Sequence, residues 1–345
     1  MSAPSAISNR WMQHRLLWPL VTLAILLAVN AAFNPGFLRI EWREGHLYGS
    51  LIDILNRAAP LILVSLGMTL VIATRGIDIS VGAVVAISAA VAAWAIGGNV
   101  DGTARFGLPL AIVAALGVAL ACGLWNGVLV AGVGMQPIIA TLVLMVAGRG
   151  IAQLITDGQI LTVYHKPFFL LGGGYLLGLP FSVFVVAAVF GLLYLAATRT
   201  ALGLFIQSVG INPTAARVAG VRAKRLVLGA YAVCGLCAGM AGLLISSNIK
   251  SADANNAGQL LELDAILAVT LGGTLLTGGR FSLVGSAIGA LIIQTLTYAI
   301  YSLGVPPEIN LVVKAVVVFA VMLLQSSEFR ATLRVLAVRP AGGMR

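Results

Sequence analysis

Cys234-Gly-Leu-Cys237 has the spacing of a dithiol redox pair. That chemistry needs a solvent-reachable thiolate at a helix start in a βαβ context. Here both cysteines sit inside an apolar run, as does Cys122, so the sequence predicts packing and no disulfide framework. His14, His46 and His165 show no metal-ligand spacing, and Gly172-Gly173-Gly174 is not followed by a dinucleotide fingerprint. No G-x-x-x-x-G-K-[ST] occurs, so this chain does not hold ATP in a P-loop. No apolar run carries the paired carboxylates of a proton or sodium relay. No catalytic residue, cofactor or metal is therefore expected, and an ion-driven carrier is weakened.

What remains are polar groups stranded in apolar sequence. Thr74-Arg75-Gly76-Ile77-Asp78-Ile79-Ser80-Val81-Gly82 interrupts such a region with two charges and two glycines. Irregular backbone at membrane depth survives only where protein buries it or a water-filled cavity meets it. The break is thus a gate element, a tight turn whose Asp78 or Ser80 caps the next helix, or both. Asn126, Gln136, Thr141, Arg149 and Gln153 lie in or beside two further apolar runs. Such groups face a bundle interior, where they meet a neutral polyhydroxylated solute or bond helix to helix. Arg149 needs a buried partner, for which Asp157 is a candidate, whereas Lys314 lies near a run's end and can snorkel. The candidate pathway residues are Asn56, Arg57, Asp78, Ser80, Asn126, Gln136, Thr141 and Arg149.

Composition dictates the elements that hold them. A chain that is 60% hydrophobic and 9% charged, with a mean hydropathy of +1.03, cannot bury its apolar surface in a soluble fold. It is expected to be an integral membrane protein, its 40 glycines suiting spans that pack closely. The net charge of +10 is spread between apolar runs and not gathered with aromatics, which argues against nucleic acid. The length criterion predicts an all-helical polytopic chain of about ten spans, at 16–33, 55–74, 79–97, 108–132, 137–156, 176–197, 226–246, 263–277, 281–303 and 309–325. Residues 1–15 form an N-terminal cytoplasmic tail, 16–325 the transmembrane domain with a cytoplasmic loop at 198–225, and 326–345 a basic cytoplasmic tail. Arg75, Arg199, Arg217, Arg222, Lys224, Arg225 and Arg280 then face inward, with both tails, against Arg39, Arg43, Arg105, Lys166 and Lys250 outside. That asymmetry implies N-in and C-in.

Pro60 to Leu70 aligns without gaps on Ala265 to Leu275, followed by Arg75 or Arg280 and by Val81-Gly82 or Val284-Gly285. An internal repeat is expected, of the kind at whose interface transporters place their pathway. Under this span count the copies run parallel; a slip of one span would invert them. The acidic loop carrying Asp253, Asn255, Asn256 and Glu262 is assigned to the outer face, where it docks a soluble solute-binding protein, shapes a gate, or is a solvated connection. Ser208 to Val221 is a helix-forming segment with basic flanks between two spans. A polar helix at the membrane surface, belonging to no span, implies a soluble partner.

Taken together, Asn56-Arg57-Ala58-Ala59-Pro60, Gly67 to Ile72, Gly76-Ile77-Asp78-Ile79-Ser80-Val81-Gly82, Gly210-Ile211-Asn212 through Ala219-Gly220-Val221, Glu262 to Ile266 and Leu271-Gly272-Gly273-Thr274 resemble the permease subunits of bacterial ABC sugar importers, along nearly the whole chain. Ile52 to Pro60, Met145 to Gly150 and Ala252 to Gly258 bring it nearest to the galactofuranose-importing members. The resemblance implies a cytoplasmic coupling helix seated in an ATPase cleft, with Gly210, Asn212, Ala215, Ala216 and Gly220 transmitting nucleotide-driven closure. It also implies an ATPase of two fused nucleotide-binding domains, a second permease chain (identical or paralogous) and a periplasmic sugar-binding protein, all at the bacterial inner membrane. Arg75 stands where the pattern usually has Gly, which leaves the local backbone open. The expected function is inward movement of a monosaccharide, galactofuranose or a related sugar, by alternating access. A branched-chain amino-acid permease of the same importer class is the alternative, and an ion-coupled carrier the alternative from another class.

Overall fold

A computed structural model of the chain describes residues 16–43, 45–97, 104–304 and 306–325. The expected tails, 1–15 and 326–345, lie outside the described residues. In order come α1 (Leu17–Phe33), the hairpin β1 (Glu41–Arg43) and β2 (His46–Tyr48), α2 (Ser50–Ala73), α3 (Val81–Ile96), and α4 (Leu108–Gly127), which continues as a π-helical turn over Val128–Val133. Next follow α5 (Pro137–Ile155), β3 (Leu161–Thr162), α6 (Lys166–Gly173), the hairpin β4 (Tyr175–Leu176) and β5 (Leu179–Pro180), α7 (Phe181–Arg199), α8 (Leu202–Ile211) and α9 (Pro213–Val218). The described chain closes with α10 (Ala223–Ile249), β6 (Ser251–Ala252), α11 (Leu261–Leu271), α12 (Leu283–Ser302) and α13 (Pro307–Gln325). Among the described residues, α2, α4, α5, α7, α10 and α12 are long and apolar enough to cross a membrane.

The core forms around α2. Apolar from Ala58 onward save for Ser65 and Thr69, it is buried almost all round. Helix α10 packs against α2, α3 and α4, and glycines permit it. A Cβ at Gly67 of α2 would meet the Cys234 backbone, and one at Gly123 of α4 the backbone of Tyr231 and Gly235. Cys234 and Cys237 are free and buried in this contact, filling space as the sequence suggested. Helix α7, by contrast, buries only Ser182 and Leu193 fully.

One expected span is corrected. The run 263–277 is not one helix: α11 ends at Leu271, and Gly273, Gly278 and Gly279 follow with φ of +84°, +84° and +92°. These left-handed glycines turn the chain where hydropathy alone reads a continuous crossing.

The strands mark one end of the bundle. The two hairpins touch there, Leu47 N–H donating to Gly178 O at 2.9 Å and His46 stacking on Tyr175 at 4.4 Å, while β3 pairs with β6. The opposite end gathers residues 73–80, α8, α9 and the loop 272–282. Hairpin end and junction end are used below for the two.

Candidate translocation and coupling sites

Between α2, α10 and α12, near the hairpin end, lies a cavity of about 760 Å³, within the usual range of about 300–1,000 Å³ for small-molecule sites. Asn56 and Arg57, two of the candidate pathway residues, line it, joined by Asp53, Ser182, Asn248, Gln294, Thr297, Tyr298 and Tyr301. The α12 members recur at i, i+3, i+4 and i+7, one face of a helix, a signal available in the sequence but hidden inside an apolar run. Asp53 and Arg57 pair at 3.0 Å, one helical turn apart, so acid and base in this wall neutralise each other. Asn56 accepts from the Ser182 hydroxyl at 2.5 Å, and Tyr298 donates to Ser50 at 2.7 Å. A chamber of about 380 Å³ continues toward the hairpins, sharing Asp53, Asn56 and Tyr298 and adding Tyr48 and Tyr175. Neutral amides, hydroxyls and aromatic rings suit a polyhydroxylated solute.

Asp78, Ser80, Asn126 and Thr141 do not line this cavity; all four are buried. Asp78 Oδ1 accepts from Ser80 N–H at 3.0 Å, Ser80 Oγ at 2.6 Å and Asn126 Nδ2 at 3.3 Å. Asn126 also donates to Ser80 Oγ at 2.8 Å. Thr141 accepts from Ile79 N–H at 3.2 Å, and Tyr231 donates to Ile77 O at 3.3 Å. Helices α4, α5 and α10 thus supply the groups that fix the irregular 74–80 backbone. Ser80 is the N-cap residue of α3, but its side chain makes no cap bond. Gln136 precedes α5 in an exposed turn, apart from both groups.

Arg149 finds a partner other than Asp157. Its guanidinium donates to Ala257 O at 2.6 Å and Ala254 O at 3.2 Å, while Gln153 donates to Asn255 Oδ1 at 2.6 Å. These bonds pin the turn-rich segment before α11, whose Gly258 presses against Gly82 and Val85 of α3. Within it the Asn256 amide, donating at 2.7 Å, holds Asp253 below the usual carboxylate range against the opposing effect of desolvation, helped by the N–H groups of Asn256 and Asn255 and by Arg149. Asn255 and Asn256 are exposed. Glu262 departs from the docking expectation: it is 4% exposed, beside Gly82, and offers no surface. Lys314 does not snorkel; it pairs with Asp264 at 2.5 Å. Arg149→Met keeps the apolar stem and removes the donors. It is expected to lower stability by about 1.5–3 kcal/mol, the worth of hydrogen bonds to a charged group, and to raise amide exchange across 253–260, with Arg149→Lys intermediate. Unchanged exchange in Arg149→Met would mean the segment holds itself.

At the junction end three backbones meet. Gly279 N–H donates to Ala73 O at 2.9 Å, and a Cβ at Gly210 would strike both Ala73 O and Gly279 N. Arg75 has a φ of +65°, a backbone conformation that glycine adopts freely. Its Nε donates to Gly210 O and its Nη2 to Ile211 O, both at 2.5 Å. Asn212 then caps α9, its Oδ1 accepting from Thr214 and Ala215 N–H at 3.1 and 3.0 Å. Ala216 is buried and Ala215 exposed. Gly220, at φ +84°, faces open space.

A family model described as the permease component of branched-chain amino-acid transport systems matches residues 50–322. The galactofuranose transporter permease of Escherichia coli K12 is 50% identical over 92% of this chain and 93% of its own. The chain belongs to the permease family of ABC importers. A fructose import permease of Bifidobacterium longum is 38% identical over 92% of this chain and 89% of its own, and a ribose import permease of Bacillus subtilis 36% over 89% and 92%. A solved inward-facing ABC transporter of metal-chelate type aligns over 92% of this chain and 98% of its own, at 16% identity and a TM-score of 0.41, too loosely to carry an argument. As an ABC importer permease this chain is a multi-pass membrane transport subunit. ATP hydrolysis belongs to a separate chain, and a substrate-binding protein completes the importer.

Proposed function

We propose that this permease moves a monosaccharide inward, galactofuranose or a related hexose or pentose, by alternating access between two permease chains in a bacterial inner membrane. The observation that carries the sugar reading is the cavity wall, rich in amides and hydroxyls, whose Asp53 and Arg57 cancel each other. Asn56 and Arg57 are the pathway residues that meet solute, while Asp78, Ser80, Asn126, Thr141 and Arg149 shape the break and the segment beside it. Helix α9 is the coupling helix, read by an ATPase with two fused nucleotide-binding domains. Asp253, Asn255 and Asn256 face a periplasmic sugar-binding protein. Arg75, Arg199, Arg217, Arg222, Lys224, Arg225 and Arg280 at the junction end support placing that end in the cytoplasm. Ten crossings with both termini inside follow if the pinned segment 253–260 and α11 together make one of them. Helices α2 and α11 both run toward the junction, which favours parallel repeats.

The test is ATP hydrolysis by the permease reconstituted with its cognate ATPase and binding protein, with and without galactofuranose. Gly220→Asp is the informative variant. No atom lies within 4 Å of a Cβ built there, and Asp tolerates left-handed backbone better than most residues, so the fold is expected to persist. Sugar-stimulated hydrolysis in wild type, lost in Gly220→Asp, is the expected result. Hydrolysis indifferent to every sugar would overturn the reading.

A further inference from the structure

We infer that Arg75 is a positioning residue that fastens the coupling segment to the break after α2. This rests on the importer reading, in particular on α9 meeting the ATPase. The Gly210 and Ile211 carbonyls are the last of α8, where a helix has no N–H left to satisfy them and carries its negative dipole end. A planar guanidinium reaches both at once, a geometry an ammonium cannot reproduce. One residue, Asn212, separates α8 from α9, and its side chain already caps α9. Fixing the carbonyls before Asn212 therefore fixes the direction in which α9 projects.

The backbone at Arg75 makes a purely incidental bond hard to accept. A φ of +65° is a conformation glycine adopts freely and arginine rarely, and such an outlier points to a task for the side chain. The path is cleared for it: Gly278 lies under the Arg75 Cγ, where any Cβ would collide. With Gly279 bonded to Ala73 O, the two breaks and the coupling segment form one joint. A displacement of α9 then reaches α2 through Arg75 and the 272–282 loop through Gly279, and is not absorbed by bending at 211–212.

The test uses the full reconstituted importer carrying Arg75→Gln, Arg75→Gly or Arg75→Lys. Arg75→Gly removes the side chain while relieving the backbone, so a fold defect and a lost fastening separate. Coupling between sites typically amounts to about 5–150-fold. In Arg75→Gln and Arg75→Gly the ratio of hydrolysis with sugar-loaded binding protein to basal hydrolysis is expected to fall at least about fivefold, with Arg75→Lys between. Amide exchange of residues 209–218 is expected to rise about tenfold or more, as for a segment that now opens locally. The ATPase should still co-purify. Wild-type ratios and wild-type exchange in Arg75→Gly would overturn the proposal while leaving the importer reading intact. No stimulation even in wild type would overturn the importer reading, and the exchange result, which needs no sugar, would then decide on the fastening alone.

Discussion

Gly210→Ala is expected to disable sugar-stimulated hydrolysis by about tenfold to a hundredfold, the upper range of site-to-site coupling, while Gly220→Ala, ten residues along, leaves assembly intact. The two glycines are needed for different reasons. A Cβ at Gly210 collides with the carbonyl of Ala73 and the amide of Gly279, both backbone atoms with nowhere to go. Overpacking a fitted contact costs about 1–3 kcal/mol, and here the added methyl would also push the Gly210 and Ile211 carbonyls out of reach of Arg75. Gly220 has only its φ of +84° to defend. The check is paired: stimulated hydrolysis and amide exchange at 73–75 and 209–211 for both variants. Normal coupling in Gly210→Ala would mean that α8 slides freely on the breaks and the joint transmits nothing.

Apolar run length found α2, α4, α5, α7, α10 and α12, the helices long and apolar enough to cross, because a span must satisfy its own backbone and expose apolar side chains over a set length. It failed at 263–277. Leu275 and Leu276 add hydropathy, but the backbone turns at Gly273, Gly278 and Gly279, and the sum of side-chain scores is blind to φ. Asp78, Ser80, Asn126 and Thr141 were legible as misplaced polar groups. Their joining into one buried cluster away from the cavity was not, since it depends on how α3, α4 and α5 cross. Arg149 was legible as a charge in need of a partner, but the sequence pointed to Asp157, the nearest acid, when carbonyls more than a hundred residues away do the work. Backbone acceptors leave no trace in residue types. The Gln294, Thr297, Tyr298 and Tyr301 stripe could have been found by its helical spacing. Arg75 stood out as a departure from the resembled pattern, and its φ and its contacts on α8 carry the fastening proposed for it.

Asp78→Leu is expected to be among the most destabilising single changes in this chain, costing about 3 kcal/mol or more, because each buried polar group left without a partner costs about 1–3 kcal/mol. Oδ1 alone receives three donors at a site buried from solvent: the Ser80 amide, the Ser80 hydroxyl and the Asn126 amide. Leucine has similar bulk and returns none of those bonds. Asp78→Asn keeps an acceptor oxygen at the same place and is expected to cost less, about 1–2 kcal/mol, because only the second carboxyl oxygen is exchanged for an amide nitrogen. The thermal midpoint of the purified permease should therefore fall in the order wild type, Asp78→Asn, Asp78→Leu, and amide exchange at 76–80 should rise in the same order. The ordering matters beyond stability. The 74–80 backbone leads from α2 through Arg75 toward the coupling segment, so its shape is set by a carboxylate that touches neither solute cavity nor surface. Equal midpoints for all three proteins would show that α4, α5 and α10 hold the break by packing alone, and that Asp78 is a passenger in it.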